Sequence, residues 1–471
     1  MSSPVFFLNG IDGETGDYSY APATLEQLAA VAHRGSLVAE NFVDAQAWLR
    51  QGRRGLRSGD PCDLAQAGWG VIFAENDPNA DATYEALKDL LQLRRSQAGR
   101  VRDHYYREFR GIKAYKAGET KRSFLSRHGV GPGAADPDRM PYYLLLVGSP
   151  EAIPYELQYQ LDMQYAVGRI WFETAEEYER YAKSVVAAET NPRSGTRSAA
   201  FFATQHPDDD ATRLSATQLA IPLALRATSK QPGWEIRTAI GTDATKDRLR
   251  SLLGGGETPD FLFTAGHGMV YMNGHPRQMS SQGALICQDW PGHHNWHERI
   301  PPDFYFSGDD VNGGDKLHGL ISFHFACYSA GGPAWGDFSP KSERVPVAPR
   351  PFVARLPRCL LQAGALAVIG HIETAWQCSI EWPGAGYQIQ AFEDTIDRLL
   401  SGHPVGSAME PFGQRYAELG SDLSAELEEV VRGGPVDNSR LVELWTNSHD
   451  SRNYIVLGDP AVRLGAAEGA P

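Results

Sequence analysis

The sequence predicts an α/β fold in which a mostly parallel sheet is sandwiched by helices and preceded by a related N-terminal α/β lobe. Three observations predict it. Strand-like and helix-like runs alternate from Ala199 to His371, a pattern that specifies parallel strands joined by covering helices. Apolar runs recur without polar alternation, as in strands buried on both faces. The length of 471 residues exceeds what one hydrophobic core usually organises, so a second lobe is expected.

In the first lobe, YYLLLV at 142–147 followed by Gly148, Ser149 and Pro150 reads as a buried strand ending in a loop. YAVGRIWF at 165–172 reads as the next strand, and AEEYERYAKSVVAAE at 175–189 as a helix with apolar positions at helical spacing. NPRSGTRS at 191–198 breaks the pattern, which places the boundary between a lobe of residues 1–190 and a domain of residues 198–466. Beyond it come AAFFAT, a helix over DATRLSATQLAIPLAL, WEIRTAI, a helix over ATKDRLRSLL, and DFLFTAG. LISFHFAC at 320–327 continues the series, as do FVARLPRCLLQAG and ALAVIGH between Phe352 and His371. Two segments interrupt it. Residues 271–318, rich in Pro, Gly, Asn, Asp and Trp, predict an ordered insertion on the rim of the site, and residues 331–350 predict an exposed linker.

Hydrophobic residues at 42% and aromatics at 10% are enough to fill real cores, so the whole chain is expected to fold. Lys plus Arg total 44 against 58 Asp plus Glu, a formal charge of −14 with no basic run, which excludes a phosphate-neutralising stripe and argues against a nucleic-acid partner. The acidic excess suits solubility and attraction of cationic substrates. The N-terminus offers no basic region followed by an apolar stretch, and no run approaches a membrane span. Cys62, Cys287, Cys327, Cys359 and Cys378 are widely spaced, odd in number and free of any Cys-x-x-Cys pair. They read as thiols of a reducing compartment, so a cytoplasmic protein with no cofactor is expected. His293, His294 and His297 could be proposed as a metal site, but their Pro/Gly/Trp surroundings read as a surface loop, so no metal is expected.

In parallel sheets chemistry gathers at the carboxyl ends of strands, and His267 and Cys327 each lie just past such an end. Cys327 ends an apolar strand and precedes Tyr-Ser-Ala-Gly-Gly, small residues that let a substrate backbone approach. His267 stands between Gly266 and Gly268, which leave its ring and the adjacent N–H open. A thiol of ordinary pKa, about 8.5, is mostly protonated at neutral pH, so attack on an amide benefits from an imidazole that manages the proton. The leaving amine needs an acid, and one histidine serves both steps. The backbone N–H groups of Gly268 and Cys327 are the natural donors to the oxyanion. The other four cysteines lack this setting and read as packing.

FLFTAGHGM and SFHFACYSAG together resemble the His-Gly and Ala-Cys signature of the caspase-like cysteine peptidase clan, which holds caspases, gingipains, clostripain and legumain. LLLVGSPEAIPYELQYQLDMQYAVGRI, ALAVIGHIETAWQCS and YIVLGDPAVRL are similar to the gingipain branch and extend the resemblance over roughly residues 140–465. The resemblance implies a caspase-like sheet preceded by a related lobe that contributes to the specificity pocket, and a thiol endopeptidase activity. In arginine-specific members an aspartate shortly before the Val-Gly-Arg strand binds the basic side chain, and a tryptophan after a later strand walls the pocket. Asp162 and Trp376 occupy the matching positions, which implies cleavage after Arg or Lys, with Glu373 and Asp337 as competing acids. His267 and Cys327 are 60 residues apart (327 − 267), more than these enzymes commonly have, so the 271–318 insertion is expected to gate the cleft.

Two other readings stay open. Cys-Tyr-Ser-Ala-Gly at 327–331 also approximates a serine hydrolase elbow centred on Ser329, although a cysteine replaces the first glycine. A catalytically silent scaffold would keep the same fold. The expected partners are protein or peptide substrates, and an upstream activating protease or effector. The 331–350 linker, with Pro333, Pro340, Pro346 and Pro349 against regular structure and Lys341, Arg344 and Arg350 as basic residues, is expected to be a processing site.

Overall fold

The computed structural model describes residues 5–6, 9–35, 55–191, 195–254, 256–312, 314, 317–337, 345–382, 385–432 and 437–465. The strands that matter to the site are, in chain order, β1 (Val5–Phe6), β2 (Gly10–Asp12), β3 (Ala23–Thr24), β4 (Trp69–Phe73), β5 (Tyr106–Phe109), β6 (Tyr143–Val147), β7 (Ala166–Ile170) and β8 (Arg197–Ala203). They continue with β9 (Trp234–Ile240), β10 (Phe261–Ala265), β11 (Gly268–Val270), β12 (Leu285–Ile286), β13 (Tyr305–Phe306), β14 (Ile321–Phe325), β15 (Ala367–His371) and β16 (Tyr454–Gly458).

Ten of these form one sheet, ordered β5-β4-β6-β7-β16-β15-β14-β10-β8-β9 and flanked by helices. Every residue of β4, β6, β7, β10, β14, β15 and β16 is buried, as the unbroken apolar runs required. All neighbours pair parallel except β15 and β16, which pair antiparallel from Ala367↔Gly458 to His371↔Tyr454. The sheet is therefore two parallel halves joined at that one seam. The C-terminal strand β16 sits on the side of the first lobe, parallel to β7, so the halves share a sheet and the last strand of the chain returns to the first half. The proposed boundary at 191–198 lies between β7 and β8, with residues 192–194 outside the described residues.

Residues 271–312, 314, 317 and 318 of the expected insertion are among the described ones. The insertion supplies β12 and β13 to a small sheet, β13-β12-β11-β2, whose far edge is a strand from the N-terminal segment. In that segment β2 pairs parallel with β11, and the helix Leu25–Gly35 lies against the helix Asn438–Arg452. The 331–350 linker is less irregular than its prolines predict, because Gly331–Gly332 pairs with Phe352–Val353 and Trp335–Gly336 with Val345–Pro346. Pro340, Lys341 and Arg344 lie outside the described residues. No described helix is long and apolar enough to cross a membrane.

Candidate active site

The carboxyl ends of β10, β14 and β15 come together at one edge of the sheet. β10 and β14 finish in register, Ala265 opposite Phe325, so the residues two positions further on, His267 and Cys327, leave the sheet side by side. Gly266 N–H continues the ladder to Phe325 O at 3.1 Å. A Cβ on Gly268 would stand 2.0 Å from Cys327 O and 2.9 Å from Cys327 N, so only glycine lets these two backbone segments touch. Tyr328, directly after the cysteine, is held at φ 56, a left-handed conformation costly for a side chain of this size, with its N–H on Glu373 O at 2.8 Å. This is a sharp turn that ends β14 at the sulfur.

His267 Nε2 lies 2.5 Å from Asp209 Oδ2, with both side chains fully buried. Asp209 is fixed in turn, because its Oδ1 caps the helix Asp210–Leu214 by accepting Thr212 N–H at 3.1 Å and also accepts the Tyr18 hydroxyl at 3.0 Å. Burial pushes the Asp209 carboxyl up, but the His267 ring and the Thr212 N–H outweigh it and hold the group well below the usual carboxylate range. The second ring nitrogen, His267 Nδ1, is buried and accepts or donates no hydrogen bond within the described residues. Tyr18 and Trp290 meet the ring edge-on at 5.7 and 6.1 Å, and His206 stacks on it at 6.3 Å. The ring is thus enclosed, with Asp209 as the partner of its Nε2 among the described residues. His206 is pushed down to about 4 by its burial and by the neighbouring His267.

Cys327 is fully buried, and its sulfur accepts Ala375 N–H at 3.1 Å from the segment that follows β15. Burial pushes the thiol pKa up from its ordinary value. The structure therefore brings His267, Gly268 and Cys327 together and adds Asp209, which the sequence reading did not single out. Of the two expected oxyanion donors, Gly268 N–H is already engaged, on Asn9 O at 3.0 Å.

The other expected site residues have these surroundings. Asp162 ends the helix Tyr155–Asp162, and its carboxyl accepts Val167 N–H at 3.1 Å, closing the turn into β7. Burial raises that carboxyl well above the usual range. It borders a small cavity with Tyr159, Tyr165, Phe412, Tyr416 and Arg452, a lining that includes neither His267 nor Cys327. Trp376 follows Ala375 directly, donates its N–H to Asp450 Oδ1 at 3.1 Å, and packs among Ala23, Leu28, Val442 and Phe6. Glu373 accepts from Asp337 N–H and Asn453 Nδ2, while Asp337 is ion-paired with Arg452. The Ser329 hydroxyl donates to His324 O at 3.1 Å and accepts His371 N–H at 3.0 Å, a strand-to-strand tie rather than a nucleophile beside a base. His293 stacks on Tyr18 and His294, and His297 faces Asp17 at 3.3 Å. Among the described residues no three His, Cys, Asp or Glu side chains are placed to hold a metal ion.

No family model and no curated protein matches this chain. Solved structures do. The complex of the Porphyromonas gingivalis RgpB pro- and mature domains is similar over 86% of this chain and 81% of that chain, at 13% identity and a TM-score of 0.47. The Arg-specific cysteine proteinase gingipain R is similar over 86% and 80%, at 12% identity and a TM-score of 0.45. The Saccharomyces cerevisiae separase in complex with securin is similar over 68% of this chain and 16% of that chain, at 10% identity and a TM-score of 0.34. Gingipain R and separase have the caspase-like cysteine peptidase fold.

Proposed function

We propose that this protein is a cysteine endopeptidase in which Cys327 attacks the peptide carbonyl, His267 manages the protons and Asp209 positions His267. The observation that carries this reading is the buried Asp209–His267 pair beside the Cys327 backbone, with Nδ1 of the ring left unpartnered. A carboxylate on one ring nitrogen selects the tautomer and stabilises the imidazolium formed when the other nitrogen takes up a proton. Gly268 N–H and Cys327 N–H are the proposed oxyanion donors.

Cleavage after Arg or Lys, which the resemblance implies, needs a carboxylate at the base of the pocket. Asp162 is the proposed residue, and its support is its position before β7. Trp376 is the proposed pocket wall. Processing in the 331–350 linker is the proposed activating step. Arg350 supports it as an exposed basic residue whose guanidinium lies 3.5 Å from Glu151.

The test is cleavage of a fluorogenic peptide panel by purified protein. Cys327→Ala and His267→Ala are each expected to lose several orders of magnitude in rate with folding intact. Full activity in Cys327→Ala, or labelling of Ser329 by a serine-directed fluorophosphonate, sinks the assignment. Asp162→Asn is expected to weaken cleavage after Arg or Lys far more than thiol labelling, and gel fragments ending within 341–350 would mark the linker cut.

A further inference from the structure

The cleft beside Cys327 is filled by the protein's own N-terminal segment. Asn9 N–H donates to Ala375 O at 3.1 Å, and Asn9 O accepts Gly268 N–H at 3.0 Å. Ala375 is also the residue whose N–H contacts the Cys327 sulfur. The chain then runs on as β2 alongside β11, with Gly10 opposite Gly268, Ile11 opposite Met269 and Asp12 opposite Val270. Space at the junction is minimal, because a Cβ on Gly10 would lie 2.6 Å from Ser19 Oγ, 3.1 Å from Val270 Cγ2 and 3.4 Å from the Cys327 sulfur. Ser19 clamps this turn by donating both N–H and hydroxyl to Gly10 O, at 3.0 and 3.1 Å. Upstream, Phe6 joins the apolar cluster around Trp376.

These are the contacts an extended substrate makes with a peptidase. Its N–H is held by a backbone carbonyl, its carbonyl oxygen by the oxyanion donor, and the bond that follows lies next to the nucleophile. We propose that the N-terminal segment is a tethered substrate and that Asn9–Gly10 is a self-processing site, cut by Cys327 after Asn9. The inference rests on the peptidase reading and extends it to the residue that the acyl side accepts. Cys327 sulfur, its proton passed to His267, bonds to the Asn9 carbonyl carbon, and the Asn9–Gly10 C–N bond breaks as the Gly10 nitrogen takes that proton. Water then hydrolyses the thioester, which leaves a carboxylate on Asn9, a new amino terminus at Gly10 and the thiol restored.

The residue held in this position is Asn9, a neutral carboxamide, which makes Asn on the acyl side the alternative to the basic preference that the resemblance implies. Arg452 pairs with Asp337, and Glu373 is held by Asp337 N–H and Asn453. Asp450 serves Trp376 N–H, Ser379 and His371. A carboxamide brings its own donor and acceptor and no charge. With the segment in place Cys327 is fully covered, so the uncut chain is also the latent one.

The experiment is incubation of the full-length wild-type chain, Cys327→Ala and Asn9→Gln, read by N-terminal sequencing and intact mass, beside a peptide panel differing only in the acyl-side residue (Asn, Gln, Asp, Arg, Lys). Wild type is expected to yield a chain beginning Gly10-Ile11-Asp12-Gly13, with Cys327→Ala uncut. Asn9→Gln should slow the cut by about tenfold or more, the scale of one added methylene in a fitted pocket, and the Asn peptide should be the fastest. Wild type that cleaves the panel yet keeps Asn9–Gly10 whole overturns this inference and leaves the peptidase standing. Equal cutting in Cys327→Ala also overturns it, since the break is then spontaneous chemistry of the Asn9–Gly10 pair. Wild type that cuts neither itself nor any peptide, and whose Cys327 resists alkylation after partial proteolysis of the N-terminus, removes the peptidase reading and this inference with it.

Discussion

Asp209 carries the most consequence for a single side chain. It is fixed in place, since Thr212 N–H and the Tyr18 hydroxyl both donate to its Oδ1 while Oδ2 faces His267. Asp209→Asn keeps the volume and replaces an acceptor by an amide that can offer its NH2 to the ring, which favours the wrong tautomer. The expected result is a loss of roughly 10³–10⁴ in turnover with thermal stability little changed. Asp209→Glu should restore part of the rate, because the carboxylate returns at a shifted position, and a purely structural aspartate would not show that order. Equal rates for Asn and wild type would remove Asp209 from the mechanism.

At the scale of elements, the small sheet β13-β12-β11-β2 roofs the dyad. Its anchor is Trp290, fully buried, edge-on to His206 at 4.8 Å and to His267 at 6.1 Å. Trp290→Ala deletes that wall and is expected to cost about 3–5 kcal/mol, as large aromatic truncations in a core do. Hydrogen exchange should locate the damage around Met269, Tyr271, Ile286 and Tyr305, with β4, β6 and β7 protected as before, because Trp290 packs in the cluster of those residues and the three strands lie in another. Loss of protection spread evenly over both halves of the large sheet would contradict this. The same roof explains why the insertion of 271–318 matters to the site: it carries the side chains that keep water off His267.

The whole molecule is tied at its seam. Arg94, fully buried, donates to Asp459 just after β16 at 2.6 Å and pairs with Glu189 at 2.6 Å, and Trp69 Nε1 reaches the other Asp459 oxygen at 2.9 Å. Arg94→Ala strands two carboxylates and is expected to destabilise by about 3–5 kcal/mol, seen as a lower urea midpoint; a midpoint that does not move would show the pair to be dispensable. Acid should also loosen the fold. Burial, chiefly, pushes His206 down to about 4, and burial alone pushes His324 down to about 3. Unfolded, both titrate near 6.5, so between that pH and about 4 the unfolded chain binds more protons than the folded one. Their contribution is complete above about pH 6.5 and is lost as pH falls through the window. Urea midpoints should therefore decline from pH 7 to pH 4, and His324→Gln should flatten the decline; a midpoint constant over that range would refute the buried-neutral assignment.

Unbroken apolar runs determined the sheet by themselves, because a strand covered on both faces leaves no polar alternation to misread, and the glycines around His267 and the small residues after Cys327 marked where two of its strands end. Tertiary structure alone decided the rest. Asp209 is one of three consecutive aspartates at 208–210, 58 residues before His267, and only the packing of β8 beside β10 selects which of them meets the ring. Asp162 stands where the resemblance puts it, yet its carboxyl direction is set by the backbone N–H of Val167, five positions further on. The three residues of β2 are too few to carry a periodicity, so their place against β11 and beside Cys327 follows from long-range backbone pairing, which side-chain pattern does not encode.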